Sequence, residues 1–91
     1  MDPRPQAWRV YILCNLEGKF YIGISSAVHR RLVQHNEGGS KWTKQKGPWR
    51  VIWQSEILSY SDARTLENKL KRQKGGDGLY RMIGLTRQPG C

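Results

Sequence analysis

Five polar residues stand at spacings that chemistry can use. Tyr11 lies in Val10-Tyr11-Ile12 and Tyr21 in Tyr21-Ile22-Gly23; Arg31 and His35 follow, and then Glu67. Two phenols, a guanidinium, an imidazole and one carboxylate make a poor core. They make a good set for hydrolysing a phosphodiester with a single metal ion. Each has an ordinary reading on its own. Strand tyrosines usually pack with the hydroxyl at the surface. An arginine such as Arg31 is usually a solvated helix charge, and a lone His35 is most often a hydrogen-bonded boundary residue. Glu67 has Lys71 four residues on as a ready helix-surface partner. The case for a site therefore rests on the elements that bring the five together.

Residues 8–15 and 20–25 read as strands, rich in Val, Tyr, Ile and Leu. A three-residue loop Leu16-Glu17-Gly18 between them needs a left-handed residue, and Gly18 supplies it. The register then sets Asn15 opposite Lys19, Leu13 opposite Tyr21 and Tyr11 opposite Gly23. Opposed residues share a face, so both phenols project from one side of the sheet, with space at Gly23. A loop one residue longer would send them to opposite faces. A helix is predicted from Ala27 to about Glu37, capped by Ser26, with Val28 and Leu32 toward the sheet. Arg31 and His35 are one turn apart and share another stripe. Gly38-Gly39 stops that helix, and a loop with Lys41, Trp42, Lys44 and Lys46 follows. Residues 49–55 read as a third strand. Ser59 or Ser61 caps a helix over 62–74 with the stripe Ala63, Leu66 and Leu70. A short closing helix is expected over 79–83. The fold class is α+β: a small, three-stranded, mainly antiparallel sheet flanked by helices. Residues 8–84 form the expected domain, with flexible termini at 1–7 and 85–91. The five polar residues are expected on one concave patch.

Ninety-one residues make one small domain, whose compact core suits its four tryptophans. Sixteen Lys and Arg against seven Asp and Glu give a formal charge of +9, which points to a polyanionic partner such as nucleic acid. The basic residues of the second long helix, among them Arg64, Lys69, Lys71, Arg72 and Lys74, can track phosphates. Cys14 reads as a small buried apolar thiol, and without a CxxC pair a zinc site or redox motif is not expected. That cysteine usage fits a reducing cytosol. The N-terminus lacks the apolar run of a signal peptide, and no stretch reaches the ~20 apolar residues that cross a bilayer. Lys74-Gly75-Gly76 lacks phosphate-loop spacing. Asp62 reads as a helix-dipole residue and Asp77 as a turn residue.

In order and at compatible distances, these residues resemble the GIY-YIG nuclease domain, over about 8–74. Within that superfamily the chain is most similar to the short single-domain bacterial type, related to the catalytic domains of excision-repair and structure-specific junction nucleases. The carrying features are Val10-Tyr11-Ile12, Tyr21-Ile22-Gly23, the Arg31-x-x-x-His35 spacing, Lys41-Trp42-Thr43, Pro48-Trp49, and Ala63-x-x-x-Glu67-x-x-Leu70-Lys71. Val10 stands where the family name has glycine, and neither Asn36 nor Asn68 matches the extra asparagine of some members. The resemblance implies Tyr11, Tyr21, Arg31, His35 and Glu67 as catalytic residues. It implies Glu67 as ligand to one Mg²⁺ or Mn²⁺, and Arg31 as a donor fork for the phosphate. A tyrosine, either one, takes the proton of the attacking water, with a nearby cation lowering its pKa. His35 holds a phenol or accepts its proton. Lys41, Lys44, Lys46, Lys71, Arg72 and Lys74 are expected on the nucleic acid. The resulting expectation is a cytoplasmic DNA endonuclease for repair or for processing structured DNA, with a protein partner possible as the source of specificity. The alternative is a non-catalytic nucleic-acid-binding module on the same fold.

Overall fold

The computed structural model describes residues 7–37, 47–73 and 76–84. In chain order the elements are β1 (Arg9–Asn15), β2 (Phe20–Ser25), α1 (Val28–Asn36), β3 (Trp49–Gln54), α2 (Tyr60–Lys71) and α3 (Gly76–Ile83). The strands form one antiparallel sheet in the order β2-β1-β3. The central strand is buried from Val10 through Asn15, because elements pack on both of its faces. The sequence reading of an α+β fold with a three-stranded sheet is therefore what the structure has.

The first hairpin sets the register on which the site depends. Gly18 takes φ +80°, where a side chain would be strained. Its N–H donates to the Asn15 carbonyl at 3.1 Å, and the Asn15 N–H donates to the Lys19 carbonyl at 3.1 Å. The Asn15 side chain, 1% exposed, finishes the turn: its Oδ1 accepts from the N–H groups of Glu17 at 3.0 Å and Lys19 at 2.8 Å. Leu13 then faces Tyr21 and Tyr11 faces Gly23, the register expected from a three-residue loop.

Alternation along β1 divides the core in two. Val10 and Ile12 pack with Ala63 and Leu70 of α2 and Leu79 of α3. Tyr11 and Leu13 point the other way and pack with Trp49, Tyr21, Val51 and, from α1, Val28 and Leu32. The β1–β3 register slips between Ile12 and Leu13. Such a bulge leaves one residue of β3 unpaired, and Ile52 and Trp53 both pack toward the first cluster.

Several element ends differ from expectation for local reasons. The cap of α1 is Ala27, which makes no side-chain cap bond, rather than Ser26. The hydroxyl that engages the backbone there belongs to Ser25, whose Oγ accepts from the Ala27 N–H at 2.9 Å. For α2, the Ser59 Oγ accepts from the Asp62 N–H at 3.2 Å. The helix accordingly begins at Tyr60 and ends at Lys71, earlier at both ends than predicted. Gly76 and Gly78 lie inside α3. Trp8 falls outside β1 and forms an isolated bridge with Leu58. Cys14 is buried as expected, but it is disulfide-bonded rather than a free thiol. Apart from Ala7, the expectation for the termini lies outside the described residues.

Candidate active site

Tyr11 and Tyr21 come from neighbouring strands and share one sheet face, their ring centroids 6.2 Å apart. Tyr11 is 1% exposed, whereas Tyr21 is half-buried. The phenol of Tyr11 lies across Gly23. A Cβ built on Gly23 would stand 2.7 Å from the Tyr11 hydroxyl, 2.8 Å from its Cζ and 3.0 Å from Cε1 of Tyr21. The space foreseen beside the phenol is thus the space that the phenol itself occupies.

The first helix supplies the other two members. Val28 and Leu32 seat α1 on this face of the sheet, which turns Arg31 and His35 toward the tyrosines. His35 is 1% exposed; its Nε2 lies 2.9 Å from the Tyr11 hydroxyl, and its ring centroid lies 4.5 Å from that of Tyr21. Arg31 is half-buried, its guanidinium donates to Oε1 of Gln34 at 2.9 Å, and its charge acts on the Tyr11 phenol.

The electrostatics separate the two buried groups. Burial pushes the Tyr11 phenol up to about 12; the neighbouring Tyr21 adds to this, and Arg31 pulls partly against it. Burial, then the charge of Arg31, brings His35 down to about 4. At neutral pH the phenol is therefore protonated and the imidazole is neutral. The Tyr11 hydroxyl and Nε2 share this hydrogen bond; in the tautomer with the imidazole proton on Nδ1, Nε2 accepts from the phenol. Arg31 lowers the Tyr11 phenol, as a nearby cation should, but burial outweighs it.

Glu67 comes from a different helix. It belongs to the buried stripe of α2 with Ala63 and Leu70, which pack on the Val10 and Ile12 side of the sheet. Its carboxylate is paired with Lys71 at 3.2 Å and Arg64 at 3.4 Å. Contacts and electrostatics thus join Tyr11, Tyr21, Arg31 and His35, while Glu67 is contributed by α2. The edge strand β2 carries Tyr21 and packs against α2. Among the described residues, no group of three or more His, Cys, Asp or Glu could hold a metal. A lone carboxylate still suits Mg²⁺, which keeps several waters and needs few protein ligands. The side chains paired to Glu67 are more than half exposed and can move aside, at 53% for Lys71 and 56% for Arg64.

The sequence matches the GIY-YIG catalytic domain over residues 7–80. The chain belongs to the GIY-YIG family. It is 38% identical over 73 residues to a UPF0213 protein of Aeromonas salmonicida, covering 79% of this chain and 54% of that one. It is 39% identical over 73 residues to the UPF0213 protein Reut_B5558 of Cupriavidus pinatubonensis, covering 79% and 81%. It is 36% identical over 66 residues to a UPF0213 protein of Streptococcus pneumoniae, covering 71% and 67%. The chain spans only 53–64% of the length of several such relatives. No solved structure matches the chain. The GIY-YIG assignment carries a nuclease fold.

Of the residues expected on nucleic acid, Lys71 and Arg72 are exposed at the end of α2, with Lys71 paired to Glu67. Lys41, Lys44, Lys46 and Lys74 lie outside the described residues. Among the described residues, no helix of this GIY-YIG domain is long and apolar enough to cross a membrane. Sequence reading missed two supporting residues. Asn15 closes the hairpin, and its place before Leu16-Glu17-Gly18 was a readable turn signal. Arg64 is a second partner of Glu67, readable from its i,i+3 spacing.

Proposed function

We propose that this GIY-YIG domain is a metal-dependent endonuclease that hydrolyses DNA phosphodiester bonds, acting in repair or in processing of structured DNA. The observation that carries the reading is the hydrogen bond between a protonated, buried Tyr11 and a neutral His35, with Arg31 and Tyr21 beside it; the reading takes the tautomer in which Nε2 accepts. In this reading Tyr11 is the base. As water attacks phosphorus, Tyr11 takes the water proton and gives its own to Nε2 of His35, while the 3′ oxygen departs. Arg31 and the half-buried Tyr21 bind the phosphate oxygens. The resting imidazole is a weak acceptor partly because Arg31 is charged beside it. An anionic phosphate on Arg31 offsets that charge and strengthens His35 as acceptor at the moment it is needed.

Glu67 would hold the divalent cation at the β2 edge. When bound there, the ion would supply charge stabilisation for the phosphate and the leaving oxygen. Lys71 and Arg72 would lie along the DNA backbone, with the lysines at 41, 44, 46 and 74. A protein partner would add substrate specificity, and the domain, over residues 8–84, would work in the cytoplasm.

The test is a cleavage panel of flaps, junctions, single strands and plasmid with Mg²⁺ or Mn²⁺. Wild type should nick at least one substrate in a metal-dependent way. Glu67→Gln should lose cleavage while fold and DNA binding persist, because an amide lacks the charge for coordination. Lys71→Ala removes the same ion pair and serves as the control. Surface pairing alone is worth under ~1 kcal/mol and would make the two variants alike. Full activity in Glu67→Gln would remove the ligand assignment. Inactivity of wild type on the whole panel would favour a non-catalytic binding module.

A further inference from the structure

The neighbour of His35 has a role that the proton-transfer reading leaves unused. Asn36 is the last residue of α1, and its side-chain amide pairs with both backbone polar groups of one β3 residue. Its Oδ1 accepts from the Trp49 N–H at 2.6 Å, and its Nδ2 donates to the Trp49 carbonyl at 3.1 Å. The strand β3 lies at the edge of the sheet. Within an antiparallel strand, the N–H and C=O of one residue point the same way. The Asn36 amide therefore substitutes for a further strand at Trp49 and ties the end of α1 to the sheet.

What the tie holds is informative. Trp49 is 3% exposed and packs in the same cluster as Tyr11 and Tyr21. A helix end frays most easily in its last turn, and His35 sits in that turn. We propose that Asn36 is a positioning residue for His35. By fixing the last turn of α1 on Trp49, it keeps the imidazole buried between the two phenols with Nε2 on the Tyr11 hydroxyl. This inference rests on reading His35 as the proton acceptor. Asn36 itself touches neither substrate nor the reacting atoms.

Among the described residues, the titratable or charged groups placed against His35 include Tyr11 and Tyr21 from the sheet and Arg31 from its own helix. Releasing the helix end admits water to the ring and carries it away from these groups. The experiment follows His35 by NMR pH titration in wild type, Asn36→Ala, Asn36→Asp and Glu37→Ala, alongside urea unfolding and cleavage kinetics. Asn36→Ala should raise the His35 midpoint by about one pH unit toward the solvated value of about 6.5. It should also lower kcat at least tenfold with KM within twofold. Asn36→Asp keeps the acceptor for the Trp49 N–H and should shift His35 less; it also serves if the alanine variant does not fold. Glu37→Ala lies outside the tie and should leave the His35 titration unmoved. A loss of stability in both Asn36 variants with His35 titrating as in wild type would overturn the proposal, leaving Asn36 a purely structural tie. The NMR arm needs no substrate, so it decides the question even if wild type cleaves nothing.

Discussion

The state of His35 can be tested without knowing the substrate. Its folded pKa, about 4, lies below the unfolded value of 6.5. Between those values the unfolded chain binds more protons than the native protein, so stability must fall as pH falls. The contribution is intact above 6.5 and is lost as pH drops toward 4, the loss reaching about 3 kcal/mol once both states are charged. Between pH 7.5 and pH 5 the expected loss is about 2 kcal/mol, because at pH 5 the unfolded imidazole is almost fully charged and the native one only about one-tenth so. The assay is urea unfolding followed by tryptophan fluorescence at a series of pH values in this range, for wild type and His35→Gln. Glutamine keeps a polar group in the cavity but does not titrate. Carboxylates and the exposed His29 contribute to both proteins and cancel in the difference. Wild type should lose about 2 kcal/mol more than the variant over that range. Parallel pH profiles would show that His35 is not held neutral by burial and Arg31, and the proton path through Nε2 would lose its basis.

The Tyr11 phenol, pushed up to about 12 from 10, should ionise last. Absorbance at 295 nm should show a late-titrating fraction that Tyr11→Phe removes, and stability intact at pH 10 should decline toward pH 12. Asn15→Ala leaves the Glu17 and Lys19 N–H groups without their acceptor and should cost about 2 kcal/mol in urea unfolding. Asn15→Asp, which keeps an acceptor, should cost less. If Arg72 contacts phosphate, Arg72→Ala should reduce the salt slope of DNA affinity by about 0.9, read by fluorescence anisotropy across ionic strengths. An unchanged slope would take Arg72 off the interface.

The parts of this fold that were legible in the sequence are those fixed by short-range geometry. The hairpin register follows from loop length and one left-handed glycine, so the shared face of Tyr11 and Tyr21 could be read before any coordinates. The common face of Arg31 and His35 follows from helix periodicity in the same way. Helix starts were less legible, because Ser25, Ser26, Ser59 and Ser61 are chemically equivalent candidates. Only the path of the chain chooses Ser25 and Ser59. Glu67 could be placed on the stripe of α2, but the sheet face that α2 covers depends on long-range packing with Val10 and Ile12. The direction of the Tyr11 shift was also hidden. A sequence shows that Arg31 is near, but not that burial outweighs it. Asn36 was visible, yet its partner is 13 residues away in another element.

The seat of Tyr11 on Gly23 links two strands through shape alone. No polar group of the cluster comes from Gly23, yet even a methyl there would overlap the phenol. The two positions should therefore vary as a unit among chains of this fold. Where evolution places a side chain at the position of Gly23, the residue opposite should be smaller than tyrosine, and the proton acceptor on the helix should have lost its reason to persist. A GIY-YIG chain that has abandoned catalysis could thus be recognised from a single glycine, with every charged residue still in place.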